Sequence, residues 1–81
     1  MRIREGEVGG LACRIVAASK QPARALVLAH GAASNAGELL KAAWSLIVEH
    51  GLGMDAAVFL PEAPFVLGDV QGQTLRSWWP F

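Results

Sequence analysis

The first part of the chain alternates between hydrophobic and polar positions in the manner of paired β-strands. Residues 2–8, RIREGEV, are heavily charged, whereas residues 11–18, LACRIVAA, carry a hydrophobic side chain at every second position. Gly9 and Gly10 separate the two runs, and a Gly-Gly pair between strand-like runs favours a hairpin. Because charged side chains discourage pairing with further strands, we expect the first strand to lie at the outside of a sheet.

Two hydrophobic runs farther along enclose an amphipathic stretch. ALVLA, residues 25–29, and AAVFL, residues 56–60, are hydrophobic on both faces, which is typical of central strands in a parallel sheet covered on both sides. A helical pattern between them completes a βαβ unit, whose crossover is right-handed in nearly all proteins. The helix stripe expected to face solvent comprises Glu38, Lys41, Ser45 and Glu49, and the stripe expected to face the sheet comprises Leu40, Ala43, Trp44 and Ile47.

Residue types that favour helix termini mark both ends of this helix. Asn35 is suited to accept a hydrogen bond from a first-turn amide, and Glu38 three residues later completes a pair resembling a capping box. Gly51 suits the position after the last turn. Beyond the second hydrophobic run, residues 61–81 are rich in Pro, Gly and aromatic residues and have no clean period, so we predict a loop that carries a binding surface.

The composition is that of a small folded domain. Of 81 residues, 53% are hydrophobic and 17% are charged, which argues against disorder and fits one domain over residues 1–81. Seven basic residues balance seven acidic ones without a run of either sign, so neither nucleic acid nor an anionic membrane is an expected partner. Without a signal peptide or a membrane-spanning run, and with Cys13 as a buried strand residue, we expect a cytoplasmic protein.

The loop HGAASNAG, residues 30–37, joins the first hydrophobic run to the helix and is open to three interpretations. The first is a phosphate cradle at the helix start. Gly31 and Gly37 alone, however, match neither GxGxxG nor GK[ST], the glycine patterns that bring the backbone close to a pyrophosphate. Glu62 could imitate a ribose-binding acid, but a proline-rich loop follows it.

The second interpretation is a nucleophilic Ser34, and the spacing of the histidines argues against it. His50 lies at the far end of the helix, more than about 20 Å along the axis at ~1.5 Å per residue, and His30 has no evident orienting carboxylate. A helix-start hydroxyl is the simpler role for Ser34. The third interpretation is an oxyanion hole, whose donors are backbone N–H groups and whose side chains matter little.

Three segments of the chain together carry a family resemblance. They are LVLAHGAASNAGELLKAAWSLI, VFLPEAP and GQTLRSWWP, in this order, within residues 25–81. They resemble the LVLLHGxGxNAxDLxxLAxxL segment, the next strand with its PxAP turn, and the RxWWP-type segment of the phospholipase/carboxylesterase family of α/β-hydrolases. This family includes the acyl-protein thioesterases. The pair His-Gly alone would be a weak signal, and the order and spacing of all three segments supply the specificity.

The resemblance implies hydrolysis of esters or thioesters without a metal or another cofactor. In this family a serine in a GxSxG turn attacks the acyl carbon, a histidine acts as base and then as acid, and an aspartate orients the histidine. The resemblance maps the first oxyanion donor to the backbone N–H of Ala32, with Gly31 shaping the loop. It also implies that Trp78 and Trp79 lie near the mouth that binds the acyl group of the ester or thioester substrate.

The resemblance also implies an incomplete fold. We expect the N-terminal part of an α/β-hydrolase sheet, an antiparallel hairpin plus one βαβ unit with strand order 1-2-4-3, truncated before the nucleophile. The 81 residues contain no GxSxG, and loss of the triad costs about 10⁶-fold in serine hydrolases, so we expect an inactive chain. Residues 25–29 would then form a bare edge prone to self-association. The alternative is a stand-alone, non-catalytic binding or interaction module.

Overall fold

A computed structural model describes residues 2–51 and 54–80 and has a mixed α/β fold. A four-stranded sheet, in the order β1-β2-β4-β3, carries one helix, and a separate two-stranded sheet follows in the sequence. The class and the strand order 1-2-4-3 are therefore confirmed. The elements are β1 (Arg2–Val8), β2 (Leu11–Ala17), β3 (Arg24–Val27), α1 (Ala36–Trp44), β4 (Ala56–Pro61), β5 (Phe65–Val70) and β6 (Gln73–Ser77).

The sheet combines antiparallel and parallel pairing. β1 and β2 form the expected hairpin, with Glu5 opposite Arg14, and β2 pairs antiparallel with β4. β3 pairs parallel with β4, with Leu26 opposite Val58, which makes α1 the crossover of a βαβ unit. The charged strand β1 lies at one edge, as its composition predicts.

Strand β3 lies at the other edge of this sheet. The hydrophobic pattern of ALVLA predicts a strand in the centre of a sheet. Within residues 2–51 and 54–80, however, β3 pairs only with β4, and Val27 is 66% exposed. The resemblance anticipates this bare edge, whereas the hydrophobic pattern alone does not.

The hydrophobic core lies between α1 and one face of the sheet. Six buried residues form it, and side chains at the helix margin, including Leu39 and Ala43, pack around them. Trp44 does not join this core, because its side chain lies at the helix surface and the residue is 38% exposed, so its predicted inward position is wrong. The core residues are Val16, Ala36, Leu40, Ile47, Val58 and Leu60.

The helix begins where the sequence predicts. Asn35 has extended backbone geometry, and its Oδ1 accepts the N–H of Glu38 at 2.9 Å. The same side chain donates through Nδ2 to Oε1 of Gln73 and to the carbonyl of Thr74, at 3.1 and 3.0 Å. One amide therefore caps α1 and fastens it to β6.

The end of the helix differs from the prediction of one continuous α-helix. After Trp44 the chain widens into a π-helical turn, Ser45–Glu49, in which the N–H of His50 donates to the carbonyl of Ser45 at 2.9 Å. Gly51 then adopts φ +77°, the left-handed conformation that glycine supplies at helix ends. Among the described residues, no helix is long and hydrophobic enough to span a bilayer.

The sequence predicts a loop over residues 61–81, and this prediction is wrong for most of residues 61–80, while residue 81 lies outside the described residues. β5 and β6 pair antiparallel through a two-residue turn, in which Gln71 and Gly72 both have positive φ. The pairing register shifts between Val66 and Gly68. This irregularity breaks the alternation of hydrophobic and polar positions, which is why the hairpin is hard to detect from periodicity.

Candidate functional site

The candidate site lies where the loops after β3 and β4 meet. These strands are parallel neighbours, so the loops at their carboxyl ends lie at the same end of the sheet, where ligands of α/β proteins usually bind. His30 begins the first loop and is only 3% exposed. Its Nε2 accepts the backbone N–H of Ala63, in the second loop, at 3.0 Å. The imidazole therefore ties the two loops together.

Both ring nitrogens of His30 are engaged with the backbone. Because Nε2 accepts a hydrogen bond from Ala63, the ring proton of the neutral imidazole resides on Nδ1, which donates to the carbonyl of Gly31 at 2.7 Å. Neither nitrogen is left to take a proton from a substrate or from Ser34. His30 is thus a structural residue of the loop and not a candidate general base.

Strand β6 and the residues after it hold the same loop from another side. Trp78 donates its indole N–H to the carbonyl of His30 at 2.7 Å, and the two rings lie 5.1 Å apart at a tilt of 32°. The N–H of Ala33 donates to the carbonyl of Arg76 at 2.9 Å, and the N–H of Arg76 donates to the carbonyl of Ser34 at 2.8 Å. The backbone of residues 30–34 is therefore fixed at both ends.

The amide of Ala32 lies in the middle of this fixed segment. Ala32 is exposed, and its N–H donates to no acceptor within residues 2–51 and 54–80. The next residue, Ala33, adopts φ +58°, an uncommon conformation for a residue with a Cβ. Gly31 has open space where a side chain would begin. The loop thus combines a rigid frame with a free donor and room beside it.

The two tryptophans expected near a substrate differ in their surroundings. Trp78 is partly buried, and its polar atom is used on the carbonyl of His30. It could therefore contact a substrate only through its ring. Trp79, in contrast, is 52% exposed, and its backbone N–H donates to the hydroxyl of the buried Ser77 at 3.3 Å.

Glu62 occupies the start of α1, a role that the sequence does not reveal. One carboxylate oxygen accepts the N–H of Ala36, the first residue of the helix. The other oxygen lies 3.5 Å from Nε of Arg76, whose Nη1 donates to the carbonyl of Ala63 at 3.0 Å. A protein carboxylate therefore stands where a phosphate would sit in the cradle interpretation, which speaks against that interpretation. Arg76 lies in β6 and Glu62 in the loop after β4, and no motif in the sequence links the two residues.

No Ser-His pair forms in the described part of the chain. The hydroxyl of Ser34 has no hydrogen-bond partner there, His30 is engaged with the backbone, and His50 follows the far end of the helix. No cluster of three or more His, Cys, Asp or Glu side chains among these residues is arranged to hold a metal ion. Ser34 thus lacks the base that a serine nucleophile requires.

Comparison with known proteins identifies no family for this chain. No family model, curated protein or solved structure matches the chain significantly. The function must therefore be inferred from the geometry of the loop.

Proposed function

We propose that these residues are part of a serine hydrolase that cleaves carboxylic ester or thioester bonds, and that the backbone N–H of Ala32 is one donor of its oxyanion hole. The observation that supports this proposal is the free amide of Ala32 within a loop held rigid by the side chains of His30 and Trp78. A donor fixed before the reaction stabilises developing negative charge without the cost of reorganisation.

The frame around Ala32 explains why such a loop needs a histidine that performs no chemistry. The side chain of His30 orients the carbonyl of Gly31, and the indole of Trp78 orients the carbonyl of His30. These carbonyls belong to the two peptide groups on either side of Gly31, so their orientation sets that of the Ala32 amide. In this proposal His30 and Trp78 are positioning residues, and Ala32 supplies the contact with the substrate.

The nucleophile, its histidine and its aspartate must come from outside these 81 residues, which contain no GxSxG. The open edge of β3 is where a further parallel strand carrying the serine would pair, beside the candidate donor. The family resemblance supports the same arrangement. The 81-residue chain alone is then expected to be inactive, and the substrate class is an ester or thioester with an acyl group near Trp79.

A fluorophosphonate probe tests this proposal in the polypeptide encoded by the whole reading frame that contains these residues. We expect covalent labelling of a serine outside residues 1–81, within a GxSxG sequence, and unchanged labelling in a Ser34→Ala variant. Labelling at Ser34 would contradict the assignment of that residue. A folded polypeptide without labelling would contradict the hydrolase itself and would leave the interaction module, with β3 as its exposed edge.

The role of Ala32 can be tested separately with a matched pair of variants. Ala32→Pro removes the N–H, and we expect kcat for ester hydrolysis to fall about 10²- to 10³-fold, the usual cost of losing one oxyanion donor. Ala32→Ser keeps the N–H and should retain activity. Thermal melting of both variants distinguishes a lost donor from a lost fold, and equal activity of the two variants would overturn the assignment.

A further inference from the structure

An open cavity of about 530 Å³ lies on the helix side of the sheet, and Ala32 is not among the residues that line it. It is bounded by Arg14 of β2, the helix cap Asn35, the part of α1 from Gly37 to Trp44, and Gln73 at the start of β6. Its volume is within the range of small-molecule sites in proteins. Neither the candidate oxyanion donor nor the network around His30 uses the side chains that line it.

Arg14 is the unusual residue in this cavity. It is half-buried, yet within residues 2–51 and 54–80 it forms no ion pair and donates no hydrogen bond. Glu5 lies directly opposite on β1, but the guanidinium does not pair with it. Instead it approaches α1 so closely that a Cβ at Gly37 would lie 3.1 Å from Nη1. A shielded arginine without an anion is uncommon, because such charges are normally paired.

The remaining walls of the cavity combine one compensated charge pair with a hydrophobic surface. Nζ of Lys41 lies 3.5 Å from the carboxylate of Glu38, so together with Arg14 the lining carries two cations and one anion. Leu40 and the 38% exposed Trp44 supply hydrophobic and aromatic surface beside these charges. The net charge of one positive unit matches a monoanion better than a dianion.

We propose that this cavity binds an organic monocarboxylate that has a hydrophobic or aromatic body. The planar guanidinium of Arg14 fits a carboxylate through two parallel N–H···O bonds, and the body of the ligand lies against Leu40 and Trp44. The N–H groups of Ala36 and Glu38 at the helix N-terminus already donate to protein side chains, so Arg14 supplies the contact with the carboxylate. The proposal is also independent of the hydrolase function.

Binding of 4-phenylbutyrate to the 81-residue chain, followed by isothermal titration calorimetry, tests the proposal against its uncharged counterpart 4-phenylbutanamide. We expect saturable binding of the carboxylate and at least about tenfold weaker binding of the amide, the effect of losing a charge-assisted hydrogen bond. Inorganic phosphate should bind more weakly than the carboxylate. Equal affinities for the carboxylate and the amide, or tighter binding of phosphate, would overturn the proposal.

Variants of the lining residues assign the ligand to this cavity. Arg14→Gln should weaken binding of 4-phenylbutyrate by about tenfold or more, whereas Arg4→Gln, on the neighbouring strand but the opposite face, should leave it unchanged. Glu38→Gln removes the carboxylate from the lining and should tighten binding, a gain that general destabilisation cannot produce. Circular dichroism checks that each variant is folded. Unchanged binding by Arg14→Gln, or weaker binding by a folded Glu38→Gln chain, would contradict the site.

Discussion

The imidazole of His30 accepts the backbone N–H of Ala63 at 3.0 Å, a contact between residues 33 positions apart. Both residues are buried, so the N–H of Ala63 is shielded from bulk water and depends on the imidazole for its acceptor. We therefore expect His30→Ala to lower the free energy of unfolding by about 2 kcal/mol, because it leaves a buried donor without an acceptor. Urea denaturation followed by circular dichroism measures this loss.

His30→Gln is the matched control for that prediction. A glutamine amide oxygen can reach the position of Nε2 and accept the N–H of Ala63, so this variant should be more stable than His30→Ala. If the two variants unfold at the same urea concentration, the hydrogen bond to Ala63 does not contribute to stability as proposed.

The contact between His30 and Ala63 also shows where prediction from sequence reaches its limit. Local patterns predict some of the elements, because alternation identifies the β1–β2 hairpin and the Asn35–Glu38 spacing identifies the start of α1, whereas they miss the β5–β6 hairpin. The strand order is anticipated by resemblance. Contacts such as that between Ala36 and Glu62 join residues 26 positions apart, and no periodicity reports on them.

The carboxylate of Glu62 contacts both the first N–H group of α1 and the guanidinium of Arg76. We expect Glu62→Gln to lower stability by about 1 kcal/mol, since it keeps an acceptor for Ala36 but removes the charge near the helix N-terminus and near Arg76. The matched control is Glu49→Gln, because the carboxylate of Glu49 accepts its hydrogen bond from the exposed Ser45 at the protein surface. This variant should change stability by less than about 0.5 kcal/mol. Equal losses in the two variants would show that the position of Glu62 at the helix start has no special effect.

The exposed pair formed by Arg24 and Asp55 predicts a pH dependence at the start of β3. The hydrogen bond from the Arg24 guanidinium, at 2.8 Å, lowers the pKa of Asp55 below its ordinary value of 3.8. Because the pKa of Asp55 is lower in the folded chain than in the unfolded chain, the ion pair stabilises the fold fully at pH values above the unfolded pKa. This stabilisation is lost as the pH falls through the folded pKa. We expect Asp55→Asn to be less stable than the wild-type chain at about pH 5, and we expect the difference to shrink as the pH falls and the carboxylate becomes protonated. A stability difference that does not shrink as the pH is lowered would contradict this explanation.

Cys13 is buried in β2, and its thiol should report on unfolding. Burial raises the pKa of this thiol above its ordinary value of 9.0. The folded chain therefore has its full stability below that pH and loses stability as the pH rises through the pKa of the folded thiol. We expect iodoacetamide to alkylate the folded chain at least about tenfold more slowly than the urea-unfolded chain, because the thiolate is the reactive form. A Cys13→Ser chain carrying Ser19→Cys, in the exposed connector, provides the control. Equal alkylation rates in the two folded chains would contradict the burial of Cys13.

The bare edge of β3 should govern self-association of the 81-residue chain. Val27 is 66% exposed on a strand whose outer side pairs with no described residue, the kind of edge that natural proteins usually protect with charge. We expect Val27→Lys to weaken self-association in sedimentation velocity by about tenfold or more, because a lysine would have to be desolvated at the contact. Val66→Lys replaces a valine of similar exposure, 58%, on the separate hairpin and should have a smaller effect. If both lysine variants weaken association equally, the effect comes from net charge and not from the edge of β3.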